Sequence, residues 1–181
     1  MGEHVLLVGM MGSGKSTVGH IVADRMRRPF RDSDTEVERR TGKSVPAIFA
    51  TRGEPAFRAE ERAALGAALS SSVPSVISVA GGAVIDPGTR SRLRAAGVVV
   101  WLDAAPEVLA ARVGNGKSRP LLRGDPAGTL KRLDAVRRPV YRELSDVVVQ
   151  VGGRRPKALA EDVVRAARAR LEVAADGRMS W

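Results

Sequence analysis

The sequence predicts a three-layer α/β fold, a parallel sheet with helices on both faces, and two observations carry that expectation. Short β-branched runs alternate along the chain with segments of helical periodicity, the pattern of strand–helix–strand units. The first run, Val5 to Val8, leads directly into the glycine-rich segment GMMGSGKST at Gly9 to Thr17, which opens a helical segment. A glycine turn between strand and helix at the start of such a sheet is a phosphate-binding context.

The elements follow in order. Strands are expected at Val5 to Val8, Pro29 to Arg31, Val76 to Val79, Val98 to Leu102 and Val147 to Val151. Helices are expected at Ser16 to Arg27, Thr35 to Arg40, Val45 to Ala50, Ala56 to Leu69, Pro87 to Ala96, Pro106 to Arg112, Gly128 to Tyr141 and Lys157 to Glu172. The last of these has its apolar residues Leu159, Val163, Val164, Ala167 and Leu171 on one face. Residues 177–181 read as a loose tail, and no repeat or low-complexity linker marks a boundary, so residues 1–176 are expected to form one domain.

Composition narrows the class. A chain of 181 residues can build one sizeable core but hardly two. No apolar run reaches the length of a membrane span, and the N-terminus enters the first strand without a basic-then-apolar leader, so a cytoplasmic protein without membrane contact is expected. There is no cysteine, which excludes disulfides and thiol chemistry. The two histidines, His4 and His20, have no partner at metal-ligand spacing; the first belongs to a strand end and the second to the outside of a helix. The formal charge of +10 invites a nucleic-acid reading. The arginines are scattered over helices, though, without the interleaved aromatics of a base-stacking surface, and solvated helix faces account for them.

The chemistry lies in three clusters at the carboxyl edge of the expected sheet, where open parallel sheets bind ligands. In the first, the glycines of the Gly9 to Thr17 loop let successive N–H groups turn toward one anion, and the helix N-terminus beyond aims its dipole at the same place. Gly12, Ser13, Gly14, Lys15, Ser16 and Thr17 would hold nucleotide phosphates. Lys15 would neutralise the β- and γ-phosphates, and the Ser16 hydroxyl would ligate Mg²⁺. The second cluster is Asp32-Ser33-Asp34, two carboxylates two residues apart. Helix capping explains such a pair as well as chemistry does. Beside a phosphate loop, Asp32 suits a metal-bound water and Asp34 the proton of an attacking hydroxyl. The third is Ala80-Gly81-Gly82, where glycines serve either a turn or the close approach of a substrate. The Gly114 to Pro126 stretch, with Gly114 and Gly116 at its start and Gly124 and Pro126 at its end, reads as a lid over about 113–126 that delivers Arg119 to the phosphates.

These residues together resemble the shikimate kinases, small P-loop kinases of aromatic amino-acid biosynthesis, over nearly the whole chain. The resemblance rests on GMMGSGKST, on DSD at Asp32 to Asp34, on IFATRGEPAFRAEE at Ile48 to Glu61, on AGGAV at Ala80 to Val84, on SRPLL at Ser118 to Leu122 and on RRPVY at Arg137 to Tyr141. It implies a nucleoside-monophosphate-kinase-like fold with five parallel strands, a substrate-binding region at about 32–62 and a mobile lid. It also implies a monomer that passes the γ-phosphoryl of ATP to the 3-hydroxyl of shikimate with Mg²⁺ as cofactor. Catalytic roles fall to Asp34, Lys15 and Arg119. Asp34, Arg58, Gly81, Gly82 and Arg137 would form the shikimate pocket, where arginine forks suit a carboxylate. Arg112, Arg154 and Pro156 would join the ATP site. Arg137 is preferred to Arg138 because the family's arginine stands two residues before the proline. Where the family carries three glycines this chain has Ala80. Within the class, gluconate or nucleotide kinases are the alternative, and a non-catalytic nucleotide-binding protein is a further one. A carboxylate at Asp34 would repel the phosphate of a nucleotide acceptor.

Overall fold

The computed structural model describes residues 2–114, 122 and 124–176. Five parallel strands form one sheet: β1 (His4–Val8), β2 (Phe30–Asp32), β3 (Val76–Ser78), β4 (Gly97–Asp103) and β5 (Val147–Gln150), in the order β2-β3-β1-β4-β5. β1 and β4 are buried at every residue, which is why they read as unbroken apolar runs; the edge strand β5 alternates instead. The pairings Val5↔Val76 and Val5↔Val98 place β1 at the centre. The chain turns to one side of β1 for β2 and β3 and to the other for β4 and β5. The carboxyl end of β1 is therefore the switch point where such sheets bind ligands.

The helices are α1 (Lys15–Met26), α2 (Ser33–Thr41), α3 (Val45–Leu69), α4 (Pro87–Ala96), α5 (Pro106–Val113), α6 (Pro126–Leu144) and α7 (Pro156–Asp176). α7 packs against α1 and against β4 and β5, and buries Leu159, Val163 and Ala167, with Val164 and Leu171 partly covered, as its periodicity predicts. Most element boundaries lie within three residues of expectation. α3 joins the two helices expected at 45–50 and 56–69, but it breaks at Gly53, whose φ of 77° and ψ of 174° are not helical, two residues before Pro55. A 3-10 turn at Ala83–Ile85 was not expected.

α2 and α3, on both sides of its break, enclose a small core of their own beside the main one. Val37, Ile48, Phe57 and Ala64 are buried there, with the rings of Phe49 and Phe57 4.7 Å apart. This satellite cluster supports the region at 32–62 that the sequence assigns to substrate. No helix among the described residues is long and apolar enough to cross a membrane. Most of the expected lid, with Arg119, and the tail at 177–181 lie outside the described residues.

Candidate active site

The phosphate loop takes the shape its glycines allow. Gly12 and Gly14 have φ of 84° and 93°, the left-handed region, and Gly14 caps α1 with no side-chain bond to the first-turn N–H groups. That leaves the N-terminus of α1 as a set of donors aimed at the loop's mouth. Lys15 Nζ donates to the carbonyls of Gly9 (2.9 Å) and Met10 (3.1 Å), which holds the ammonium against the loop. Arg112 reaches across from α5 to the Gly12 carbonyl at 3.4 Å. Ser13 contributes wall rather than a side-chain donor: its hydroxyl is fully buried and finds no partner among the described residues.

Asp32 caps α2 and also reaches the phosphate loop. One carboxylate oxygen accepts from the Asp34 N–H at 3.0 Å and caps α2; the other accepts from the Ser16 hydroxyl at 2.8 Å. The Ser16–Asp32 pair offers hard oxygen donors beside the phosphate loop, the donor chemistry that suits Mg²⁺. No group of three or more His, Asp or Glu side chains suited to a metal exists among the described residues, so a metal here would need further oxygen ligands from phosphate and water. Asp34 lines the cavity one residue beyond the buried Ser33.

Across the cavity stand two arginines, Arg58 and Arg137. Arg58 on α3 pairs with Glu54 and Glu61, each at 2.9 Å, and Glu61 is only 1% exposed. Burial works against the Arg58 charge, but the two carboxylates outweigh it and lift its pKa above the ordinary arginine value. Burial raises the Glu61 pKa, and Arg58 only partly offsets this. Arg137 on α6 is 5% exposed. Its pKa is lowered, first by burial and also by the charge of Arg58. Two cations that disfavour each other inside one cavity make a strong site for an anion.

The glycine pair explains how these guanidiniums sit. Neither Gly81 nor Gly82 has a positive φ, so a turn's dihedral demand is not the reason for them. A Cβ on Gly82 would lie within 2.4 Å of Arg58 Nη1, and one on Gly81 within 3.3 Å of Arg137 Nη1 and 3.2 Å of the Tyr141 hydroxyl. The Tyr141 hydroxyl donates to the Gly81 carbonyl at 2.8 Å, and burial raises its pKa. Both glycines are bare so that side chains from α3 and α6 can lie on the backbone.

Arg137 and Arg138 separate cleanly. Arg137 lines the cavity, whereas Arg138 turns the other way to Asp134 (2.8 Å) and Asp103 (2.9 Å) and stacks over the Trp101 ring. On the remaining side, Arg154 pairs with Asp162 of α7, which lowers the Asp162 pKa, and Pro156 opens that helix. One cavity of about 850 Å³ is lined by Gly12 to Thr17, Asp32, Asp34, Arg58, Gly81, Gly82, Arg112, Arg137, Arg154 and Pro156. Apart from Arg119, outside the described residues, every residue expected at the site lies on it. Sequence reasoning gave no role to Glu61 or Tyr141, although each stands three or four residues from its arginine on the same helix, a spacing that predicts contact.

Fold and site together define a P-loop kinase, with the phosphate loop facing a cavity that carries Arg58 and Arg137. Similarity to known proteins narrows the class further. The family model described as "Shikimate kinase" matches residues 11–168. The shikimate kinase of Pseudomonas syringae pv. tomato is 44% identical over 163 residues, 90% of this chain and 94% of that protein. That of Hahella chejuensis is 40% identical over 171 residues, 94% of this chain and 88% of its own. The solved shikimate kinase from Acinetobacter baumannii in complex with shikimate has a TM-score of 0.89 at 34% identity, covering 94% of this chain and 95% of that one. This chain belongs to the shikimate kinase family.

Proposed function

We propose that the protein transfers the γ-phosphoryl group of ATP to the 3-hydroxyl of shikimate, giving shikimate 3-phosphate and ADP. The observation that carries this reading is the pairing of Arg58 and Arg137, two enclosed guanidiniums, in the same cavity as Asp34 and the phosphate loop. A hydroxy acid offers a carboxylate to the arginines and hydroxyls to Asp34. The loop N–H groups and Lys15 hold the triphosphate, with Arg112, Arg154 and Pro156 at the nucleotide's other end and Arg119 delivered by the lid. Mg²⁺ bound by Ser16, and by Asp32 through water, would neutralise charge on the β- and γ-phosphates.

Asp34 orients the acceptor hydroxyl and takes its proton. The hydroxyl oxygen forms a bond to the γ-phosphorus as the bond to the β,γ-bridging oxygen breaks, and ADP leaves. Lys15 and Arg119 stabilise charge on the moving group. The working form is a cytoplasmic monomer, as the sequence resemblance implies. A coupled ADP-release assay with shikimate, gluconate and AMP in parallel tests the reading. Release that depends on shikimate alone is expected. Release with gluconate or AMP instead reassigns the acceptor, and ATP binding without turnover makes the protein non-catalytic.

A further inference from the structure

The segment Asp32-Ser33-Asp34 carries one side chain that the mechanism above does not use. Ser33 is 2% exposed, and its hydroxyl oxygen accepts a hydrogen bond from the Ala80 N–H at 2.8 Å. The position of that bond gives it meaning. The β2–β3 ladder ends at Asp32↔Ser78, and the Val79 N–H, facing the other neighbour, donates to the Leu7 carbonyl of β1. Ala80, two residues past the end of β3, has the next N–H on the β2 side, and the Ser33 side chain takes over where the backbone ladder stops. On one side of this bond Asp32 holds Ser16 and the phosphate loop, and Asp34 lies on the other flank of Ser33. Beyond Ala80 come Gly81 and Gly82, the shelf on which Arg137 and Arg58 rest.

We infer that Ser33 is a positioning residue for the acceptor: its bond to Ala80 sets the spacing between the Asp34 carboxylate and the two-arginine shelf. This rests on the acceptor assignment above. Asp34 and the arginines grip opposite parts of one small molecule, so a shift of β3's end relative to α2 misplaces the hydroxyl against the phosphoryl group. An ångström of misplacement is enough to cost on the order of a hundredfold in rate. The phosphate contacts of Lys15 and the loop N–H groups do not depend on this bond, because these groups are fixed within the β1–α1 connection.

The experiment is steady-state kinetics of Ser33→Ala, Ser33→Thr and wild type, with shikimate and ATP varied in turn. Ser33→Ala is expected to lower kcat/KM for shikimate about tenfold while KM for ATP stays within about twofold. Ser33→Thr keeps the accepting oxygen and is expected to recover wild-type kinetics to within about threefold. Should Ser33→Ala fail to fold by circular dichroism, Ser33→Cys, close in size with a weak acceptor, is read for the same split. Unchanged shikimate kinetics, an equal rise in KM for both substrates, or no recovery with threonine overturns the inference. Wild type without shikimate-dependent ADP release overturns the acceptor assignment and this inference together; active wild type with an unaltered alanine variant overturns this inference alone.

Discussion

The cavity has two glycine-bearing walls, and they use glycine for opposite reasons. In the phosphate loop, Gly12 and Gly14 sit at φ of 84° and 93°, and the wall is the backbone itself. In the shelf after β3, Gly82 has an ordinary φ of −89°, and the missing Cβ makes room for a guanidinium. The donor wall is thus local, built by one stretch of chain and a helix N-terminus. The acceptor wall is assembled from α3, the end of β3 and α6, residues far apart in sequence, and is held by the Arg58–Glu61 ion pair and the Tyr141–Gly81 hydrogen bond. Conformation makes one half and packing makes the other.

Asp34 stands where the halves meet, and its loss should produce the largest effect. Asp34→Asn keeps the shape but cannot take a proton. Turnover with shikimate is expected to fall at least about a hundredfold, the range of general base catalysis, with ATP affinity by equilibrium titration unchanged. A variant that keeps most of its turnover removes Asp34 as base and as essential orienter.

Exchanging the two kinds of glycine for alanine breaks the comparison most directly. At Gly82 the new methyl meets Arg58 Nη1 at 2.4 Å and must push the guanidinium from its place. About a tenfold rise in KM for shikimate is expected, with KM for ATP unmoved. At Gly14 the nearest atom to a new methyl is 3.9 Å away, so space is no obstacle. The cost there is dihedral, roughly 1–2 kcal/mol, and should appear as weaker ATP binding or lower stability. If both variants impair both substrates alike, the walls do not divide as described.

The same division explains what the sequence disclosed. The donor loop is contiguous, so its spacing alone places Gly12 to Thr17 at one site. The break in α3 was legible as well, since Gly53 and Pro55 separate two periodic stretches. The choice between Arg137 and Arg138 was not open to spacing alone, because neighbours on a helix point about 100° apart and only the fold says which way is inward. The shelf glycines were read as a turn or a close approach, and nothing local could tell which. That answer lies with Arg58 and Arg137, tens of residues away. The Ser33–Ala80 bond spans 47 positions and has no sequence signature.

Ionisation separates the acceptor wall from the Arg154–Asp162 pair at the cavity's other end, with smaller effects of opposite sign. The Glu61 pKa is raised from the ordinary 4.5, by burial first, so its stability increment is full below that value and is lost as pH rises through the raised pKa. The melting temperature of wild type minus that of Glu61→Gln should therefore fall with rising pH, by roughly a few degrees. The Asp162 pKa is lowered from 3.8, chiefly by its hydrogen bond from Arg154. Its increment is full above that value and is lost as pH falls. Wild type minus Asp162→Asn should fall toward acid instead, by less, because that pair is exposed. Thermal melts from pH 3 to 8 read both trends, and slopes of the same sign contradict the assignment.

Ala80 is the junction at which the smallest change is expected, although it is the position where the family carries a third glycine. Among the described non-glycine residues only Arg27 has a positive φ, so the Ala80 methyl sits on backbone that any residue adopts. The residue is held by both its polar groups: its N–H donates to Ser33, and its carbonyl accepts from the Ala83 N–H at 3.0 Å. Restoring glycine relieves no strain; it only loosens the unfolded chain, a loss of about 0.4–1 kcal/mol. Ala80→Gly should melt slightly lower and turn over shikimate within about twofold of wild type. A gain of tenfold or more would show that the methyl narrows the acceptor pocket. The shelf would then be under-sized as well as bare, and packing on the acceptor wall would limit the rate.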